Sequence, residues 1–348
     1  MQSKNKIWFL AGVFCSIIVG FIAYFISHSY YHQSSSSFFA NSSNSKVTAS
    51  SCTFKRVNVL GYKFIKPVLL LETECESADL FPLKNQLTDL ITHYQSEGSI
   101  SNASVCVFDM NRSEWTGVNE NSEFQPGSLI KVPLAISVLK ILEEKKIKLT
   151  DHLTVPTDNL LKIHQTYSAN SVVPGKSYTI EELLKYSLAY SDNLATQVLN
   201  NFIDIKILKK VFTDVSIAEP NVADPDYTIS TKNYSKFIRI LYNGTYIHRQ
   251  HSELVLTLMN QSSFKDGILA SIDTSKAIAS TKFGESMKGN EHQLHETGVI
   301  YVNNSAYIVT IMTAGKDVKK LPEVIKNISK LVYDKMSVDN INNTIAKL

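Results

Sequence analysis

Several things are scarce in this chain of 348 residues. There are four cysteines, Cys15, Cys52, Cys75 and Cys106, with no Cys-x-x-Cys pair and no histidine cluster at zinc-like spacing, so the residues suggest no structural metal. Neither charge sign dominates. Lys plus Arg number 35 against 32 Asp plus Glu, and the formal charge of +3 is too thinly spread to point to nucleic acid as a partner. With 13 glycines, 9 prolines and no internal repeat, the composition fits neither a collagen-like chain nor a disulfide-dense scaffold. What remains is 44% hydrophobic and 10% aromatic residues, enough to bury a core as one large domain or two small ones.

The first strong positive signal is an apolar run from Ile7 to Ser27, 21 residues without a charge and long enough to cross a bilayer as a helix. Lys4 and Lys6 precede it and no Lys or Arg follows until Lys46, which places the N-terminus in the cytoplasm and the rest outside. The run exceeds the usual signal-peptide core and no small-residue cleavage site directly follows, so an uncleaved anchor is expected over residues 1–27; a cleaved signal would export the domain too. Residues 28–51 are rich in Ser and Asn and read as a flexible tether. Cys52 and Cys75 flank a short β-rich segment, 52–79, and could form a disulfide in an oxidising compartment.

Beyond the tether, Leu83, Leu87, Leu90, Ile91 and Tyr94 recur at helical spacing, followed by alternating Ala103, Val105 and Val107, a turn at Asn111-Arg112-Ser113 and a strand around Trp115. From Ser128 to about Met259 the patterns are helical, with the longest irregular stretch between Thr213 and Ser230. Three strand-like runs, KAIASTKF, HQLHETGVIYV and AYIVTIMTAG, then precede a closing helix from Leu321 to about Tyr333. This order predicts an α+β domain over 80–348. Its antiparallel sheet is drawn from N- and C-terminal strands, with flanking helices, an inserted all-helical lobe and a cleft between lobe and sheet.

Three short motifs carry chemistry. Ser128 follows a Pro126-Gly127 turn and precedes Lys131 by three residues, one helical turn, so the two share a face. A serine hydroxyl becomes a nucleophile when a neighbouring base takes its proton, and a lysine in a partly dry cleft can be that base. Alone, this pair is equally an N-cap serine beside a solvated lysine. It has company in Ser191-Asp192-Asn193 between two helical runs, and in Lys282-Phe283-Gly284 on a strand-like run.

In this order the boxes make residues 80–335 resemble the penicillin-recognising serine hydrolases, specifically the class A β-lactamase family, whose boxes are Ser-x-x-Lys, Ser-Asp-Asn and Lys-Thr/Ser-Gly. The resemblance implies the β-lactamase/transpeptidase-like fold and assigns roles. Ser128 would attack the acyl carbonyl, Lys131 would act as its base, and Ser191 would relay a proton to the leaving nitrogen. Asn193 would hold the substrate amide and Lys131. Lys282 would hold the substrate carboxylate, Gly284 would let the strand lie close, and the backbone N–H groups of Ser128 and Glu285 would form the oxyanion hole. No cofactor is called for. His295-Glu296-Thr297-Gly298 also ends in Thr-Gly, but His295 is mostly uncharged at neutral pH and two strands must follow the box, so Lys282 is preferred and His295 reads as a strand start.

The pattern departs from the family twice. Phe283 stands where the third box has Thr or Ser, removing a hydroxyl that helps bind a carboxylate; it reads equally as a strand residue packed inward. The Thr213–Ser230 loop carries no Glu-x-x-Leu-Asn segment, and the interval from Ser191 to Lys282 looks short, pointing to a loop deletion. Of the carboxylates there, Glu219 in Ala218-Glu219-Pro220-Asn221 is the candidate to activate water, alongside Asp214, Asp224 and Asp226. The expected function is therefore an exported, membrane-anchored serine acyl-enzyme hydrolase opening β-lactams or related amides. The alternatives are a D,D-carboxypeptidase or transpeptidase acting on D-Ala-D-Ala peptides, and a non-catalytic cell-wall-binding relative.

Overall fold

The computed structural model describes residues 53–345 apart from 60, 62–64, 161–165, 168–169, 222–223 and 225. These belong to the unit Cys52–Leu348. The apolar run, the tether and Cys52 lie outside the described residues, among which no helix is long and apolar enough to cross a membrane.

The chain enters through an antiparallel ribbon of β1 (Phe54–Asn58) and β2 (Val68–Thr73), with Phe54 opposite Thr73. The ribbon buries Val57, Leu69 and Leu70 in the core of the helical lobe, and the Trp115 indole donates to Thr73 O. Cys75, just beyond it, is disulfide-bonded.

Helix α1 (Phe81–Ser96) buries Leu83, Leu87, Ile91 and Tyr94, the stripe read from the sequence. Strands β3 (Asn102–Asp109) and β4 (Glu114–Val118) form a hairpin whose turn holds Ser113 at φ 58°. On β3, Ala103, Val105 and Val107 face one core while Cys106 and Phe108 face the other, the two-residue alternation of a strand buried on both sides.

After the short β5 (Glu123–Phe124) comes α2 (Lys131–Lys145), the axis of the lobe, with eleven buried residues from Lys131 to Leu142 and therefore no polar stripe. Around it lie the β6 (His152–Thr154) and β7 (Ser177–Thr179) ribbon and the helices α3 (Ile180–Ala189), α4 (Asn193–Phe202) and α5 (Ile205–Asp214). Helix α3 opens with a Thr179/Glu182 capping box. Helix α5, absent from the sequence reading, is amphipathic: Asp204 caps it, and Leu208, Val211 and Phe212 turn inward.

Strand β8 (Ile229–Ser230) pairs with β5 and leads to α6 (Thr231–Asn243) and α7 (Arg249–Asn260). The three C-terminal strands, β9 (Ala277–Lys288), β10 (Glu291–Val302) and β11 (Ser305–Gly315), join β4 and β3 in one antiparallel sheet of order β4-β3-β11-β10-β9. Helix α8 (Leu321–Ile345) closes the fold; Leu321, Val324, Ile325 and Ile328 share a core with α1 on one sheet face, while the lobe covers the other.

Candidate active site

The first box is a tightly held turn. Gly127 sits at φ 51° and opens a 3-10 turn, Gly127–Ile130, that runs directly into α2. A Cβ at Gly127 would collide with the backbone carbonyl group of Glu285, and one at Gly284 would lie 2.6 Å from Pro126 O and 2.8 Å from Leu129 N. Two glycines thus let β9, the edge strand, press against the Ser128 turn, which no side chain larger than hydrogen allows. The Tyr234 hydroxyl on α6 donates to Leu129 O at 2.8 Å, fixing the turn from the other side.

The preceding residue is fixed as firmly. Gln125 N donates to Gln293 Oε1 at 3.0 Å, and Gln125 O lies 2.9 Å from His295 Nε2. Because His295 Nδ1 accepts from Thr313 N at 3.3 Å, Nε2 carries the hydrogen, and burial lowers the imidazole pKa to about 4. His295 is therefore a neutral donor in the middle of β10, opposite Gly284, and not at a strand start as the sequence suggested. Its neighbour Glu296 is also buried; desolvation raises it to about 7 while Ile268 N donates to its Oε2 at 2.7 Å.

Lys131, Ser191, Asn193 and Lys282 come together beside the Ser128 turn. Lys131 is almost wholly buried, and its ammonium donates to Ser191 O, to Ser191 Oγ at 3.1 Å and to Asn193 Oδ1 at 2.8 Å. Desolvation lowers its pKa to about 7, against the opposing pull of Asp192 and Glu285. Lys282 is fully buried; its Nζ donates to the same Ser191 Oγ at 2.9 Å and to Phe283 O at 2.7 Å. Desolvation, joined by repulsion from Lys131, pushes Lys282 well below the usual lysine range. One hydroxyl therefore bridges two ammonium groups, each of which favours the other's neutral form.

Ser191 reaches this point through a left-handed backbone, φ 58°, a costly conformation for a residue with a Cβ. Asp192 holds it there: its carboxylate caps α4 through Leu194 N and Ala195 N, and also accepts from Ser171 Oγ at 2.8 Å and Val172 N at 3.0 Å. The middle residue of the second box is thus a helix cap and a loop tie.

Phe283 is fully buried, packed on Phe264 and Tyr167 at ring separations of 5.1 and 6.3 Å, with the Lys282 ammonium 4.2 Å from its ring centroid. Phe283 is thus a strand residue packed inward, and it brings no hydroxyl to the cleft.

The loop side differs. A cavity of about 550 Å³ runs from Gly127, Ile130 and Ser286 to Pro220, Asn221 and Asp224. Glu219, the expected water activator, does not line it; its exposed carboxylate pairs with Lys209 at 3.4 Å. Asp214 is bound by Lys210 and Tyr246, and Asp226 accepts from Gln125 Nε2 at 3.0 Å. Only Asp224 of the four named carboxylates faces the cavity.

Sequence reasoning found no metal-like cluster, but folding brings Glu143, at the end of α2, to His248 and His251, with one ligand atom of each within 4.8 Å of the others. The Glu143 carboxylate accepts from His248 N and meets His251 Nδ1, both at 2.7 Å, and so caps the first turn of α7.

An antiparallel sheet with an inserted helical lobe, and a Ser-x-x-Lys turn buried at their junction, defines a serine hydrolase. The model of the β-lactamase enzyme family matches residues 82–336, and the chain belongs to that family. β-Lactamase VEB-1 of Pseudomonas aeruginosa is 22% identical over 250 residues, covering 66% of this chain and 84% of its own. Among solved structures, a mutant of PBP-A in acyl-enzyme complex with penicillin G has a TM-score of 0.63 at 19% identity, covering 74% of this chain and 97% of that one. A mutant of the class A β-lactamase of the last common ancestor of Gram-negative bacteria has a TM-score of 0.63 at 18% identity, covering 73% and 98%. At such identities the structural likeness speaks to the fold.

Proposed function

We propose that the protein is an exported, membrane-anchored serine acyl-enzyme hydrolase that takes β-lactams or related amides. The observation that carries this is Lys131: a buried lysine with a pKa of about 7, one helical turn from Ser128 and bonded to Ser191 Oγ, has the properties of a general base. In the reaction, Ser128 Oγ bonds to the carbonyl carbon and its proton passes to Lys131. The tetrahedral oxyanion is met by the backbone N–H groups of Ser128 and Glu285. As the C–N bond breaks, the proton travels through Ser191 Oγ to the departing nitrogen. Water then hydrolyses the ester and returns the proton to Ser128.

A second reading, slow turnover of the D,D-peptidase kind, is favoured by Glu219 pairing with Lys209 in solvent, since hydrolysis of the ester needs its own positioned base. The acyl-enzyme complex that a PBP-A mutant forms with penicillin G supports the same mode for this fold. Export is supported by the apolar run with its leading lysines and by the disulfide at Cys75, which suits an oxidising compartment.

The test is intact mass against time for residues 50–348 mixed with penicillin G, beside Ser128→Ala. A Ser128-dependent adduct is expected. Its rapid loss identifies a β-lactamase, its persistence a D,D-peptidase-like enzyme, and no adduct with any β-lactam overturns both in favour of a binding module.

A further inference from the structure

The residue that follows the third box is acidic. Glu285 lies on β9 immediately after Gly284, where the strand presses on the Ser128 turn. Its carboxylate acts electrostatically on both cleft lysines, raising the pKa of Lys131 and of Lys282, and on Tyr167. Among the described residues no cation lies within ion-pairing distance of it, and its one hydrogen bond is a long one, from Tyr167 N at 3.4 Å. The half-buried carboxylate is thus held at the cleft with its charge unneutralised by direct contact.

The opposing positive charge is weak and already engaged. Lys282 is fully buried, its ammonium spent on Ser191 Oγ, Phe283 O and the Phe283 ring, and it faces Glu296 as well as Glu285. Phe283 supplies no donor, because a phenyl ring carries none, and its ring packs against Phe264 and Tyr167. A substrate whose carbonyl lies between Ser128 and β9 must set whatever flanks that carbonyl on the β9 side beside Glu285. An anion placed there meets a carboxylate in a partly desolvated cleft, where like-charge repulsion is strong; a neutral or cationic group does not.

We infer that Glu285 is a specificity-determining residue that turns the enzyme toward substrates whose group on the β9 side of the scissile bond is an ester, an amide or an amine, and away from those with a free carboxylate there. This rests on the acyl-serine reading above. Paired probes separate the two. Penicillin G and its methyl ester share the reactive lactam and differ at one group, a carboxylate in the first and its neutral methyl ester in the second, and the acylation rate of each is followed by intact mass on the full-length chain.

The expected result is ester acylation at least about tenfold faster than free acid in the wild type, after correction for each probe's intrinsic hydrolysis, and a preference reduced by about tenfold in Glu285→Gln through faster acylation by the free acid. Glu285→Asp, which keeps the charge, is expected to keep the preference, a result that mere loosening of the strand does not produce. Equal rates for the two probes in the wild type, or an unchanged ratio in Glu285→Gln, overturn the inference while leaving the acyl-serine reading intact. Absence of any Ser128-dependent adduct with either probe overturns both.

Discussion

The two walls of the cleft are built to different standards. Where the lobe meets the sheet, Ser191 Oγ is held by two buried ammonium groups, the Ser128 turn is pinned by Tyr234 on α6 and, through Gln125, by His295 on β10, and two glycines admit β9 to backbone contact. On the loop side, Glu219 points to Lys209 in solvent, and what lines the cavity is Pro220, Asn221 and Asp224. Forming an acyl-enzyme and hydrolysing it need separately positioned groups, and this fold fixes the first far more rigidly than the second. Buried polar groups must be satisfied by one another and so specify a single geometry, whereas exposed loop residues are satisfied by water and can drift.

The contrast can be broken most directly at Ser128 and Lys131. Ser128→Ala should abolish acylation, and Lys131→Arg should lower its rate by at least about a thousandfold, because guanidinium cannot give up its proton near neutrality. Quench-flow mass spectrometry measures both; a Lys131→Arg enzyme within tenfold of wild type would remove lysine as the base. For the same reason the wild-type acylation rate should climb with pH and reach half its plateau near pH 7, as Lys131 loses its proton.

Next in size is the backbone contact. Gly284→Ala puts a methyl against Pro126 O and Leu129 N, neither of which is a flexible side chain. A cost of about 1–3 kcal/mol in denaturant unfolding is expected, with acylation slowed by about a hundredfold through displacement of the Ser128 turn.

A smaller effect concerns pH and stability. His295 has a folded pKa of about 4 against an ordinary 6.5, so the unfolded chain binds its proton first and stability is lost as pH falls from 6.5 to 4. Glu296 has the opposite sign: at about 7 against an ordinary 4.5, its folded form binds the proton first, and stability is gained as pH falls from 7 to 4.5. The two should nearly cancel between pH 6.5 and 4.5. Glu296→Gln should unmask a loss of about 2–3 kcal/mol across that interval in urea titrations. An unchanged slope would mean that Glu296 is already ionised in the fold.

The smallest effect is expected at Glu219. Its ion pair with Lys209 is solvent-exposed, so Glu219→Ala should change stability by less than about 0.5 kcal/mol and the acyl-enzyme lifetime by less than about twofold. A lifetime lengthened tenfold would restore Glu219 as the group that activates water and erase the difference between the two walls.

Much of the scaffold was legible because its elements announce themselves locally. Leu83, Leu87 and Ile91 mark α1 by spacing, and the β9–β11 runs are long and apolar. Helix α5 went unread although its pattern is that of an amphipathic helix, with Leu208, Val211 and Phe212 at helical spacing on one face and Lys206 and Lys210 on the other. The roles of His295, Asp192 and Tyr167 were not legible: each acts on a segment distant in sequence, Gln125, the 171–172 loop and Glu285 respectively.

By itself the sequence determined the order and chemistry of the three boxes, the helices and strands that carry them, and the apolar run at the N-terminus, because these depend on residue type at short spacing. Tertiary structure decided which charges meet. It set Lys131 and Lys282 on one hydroxyl, turned Phe283 inward and Glu219 outward, and left Glu285 beside the cleft. Burial and proximity between residues far apart in the chain fix a group's charge, and neither is written in local pattern.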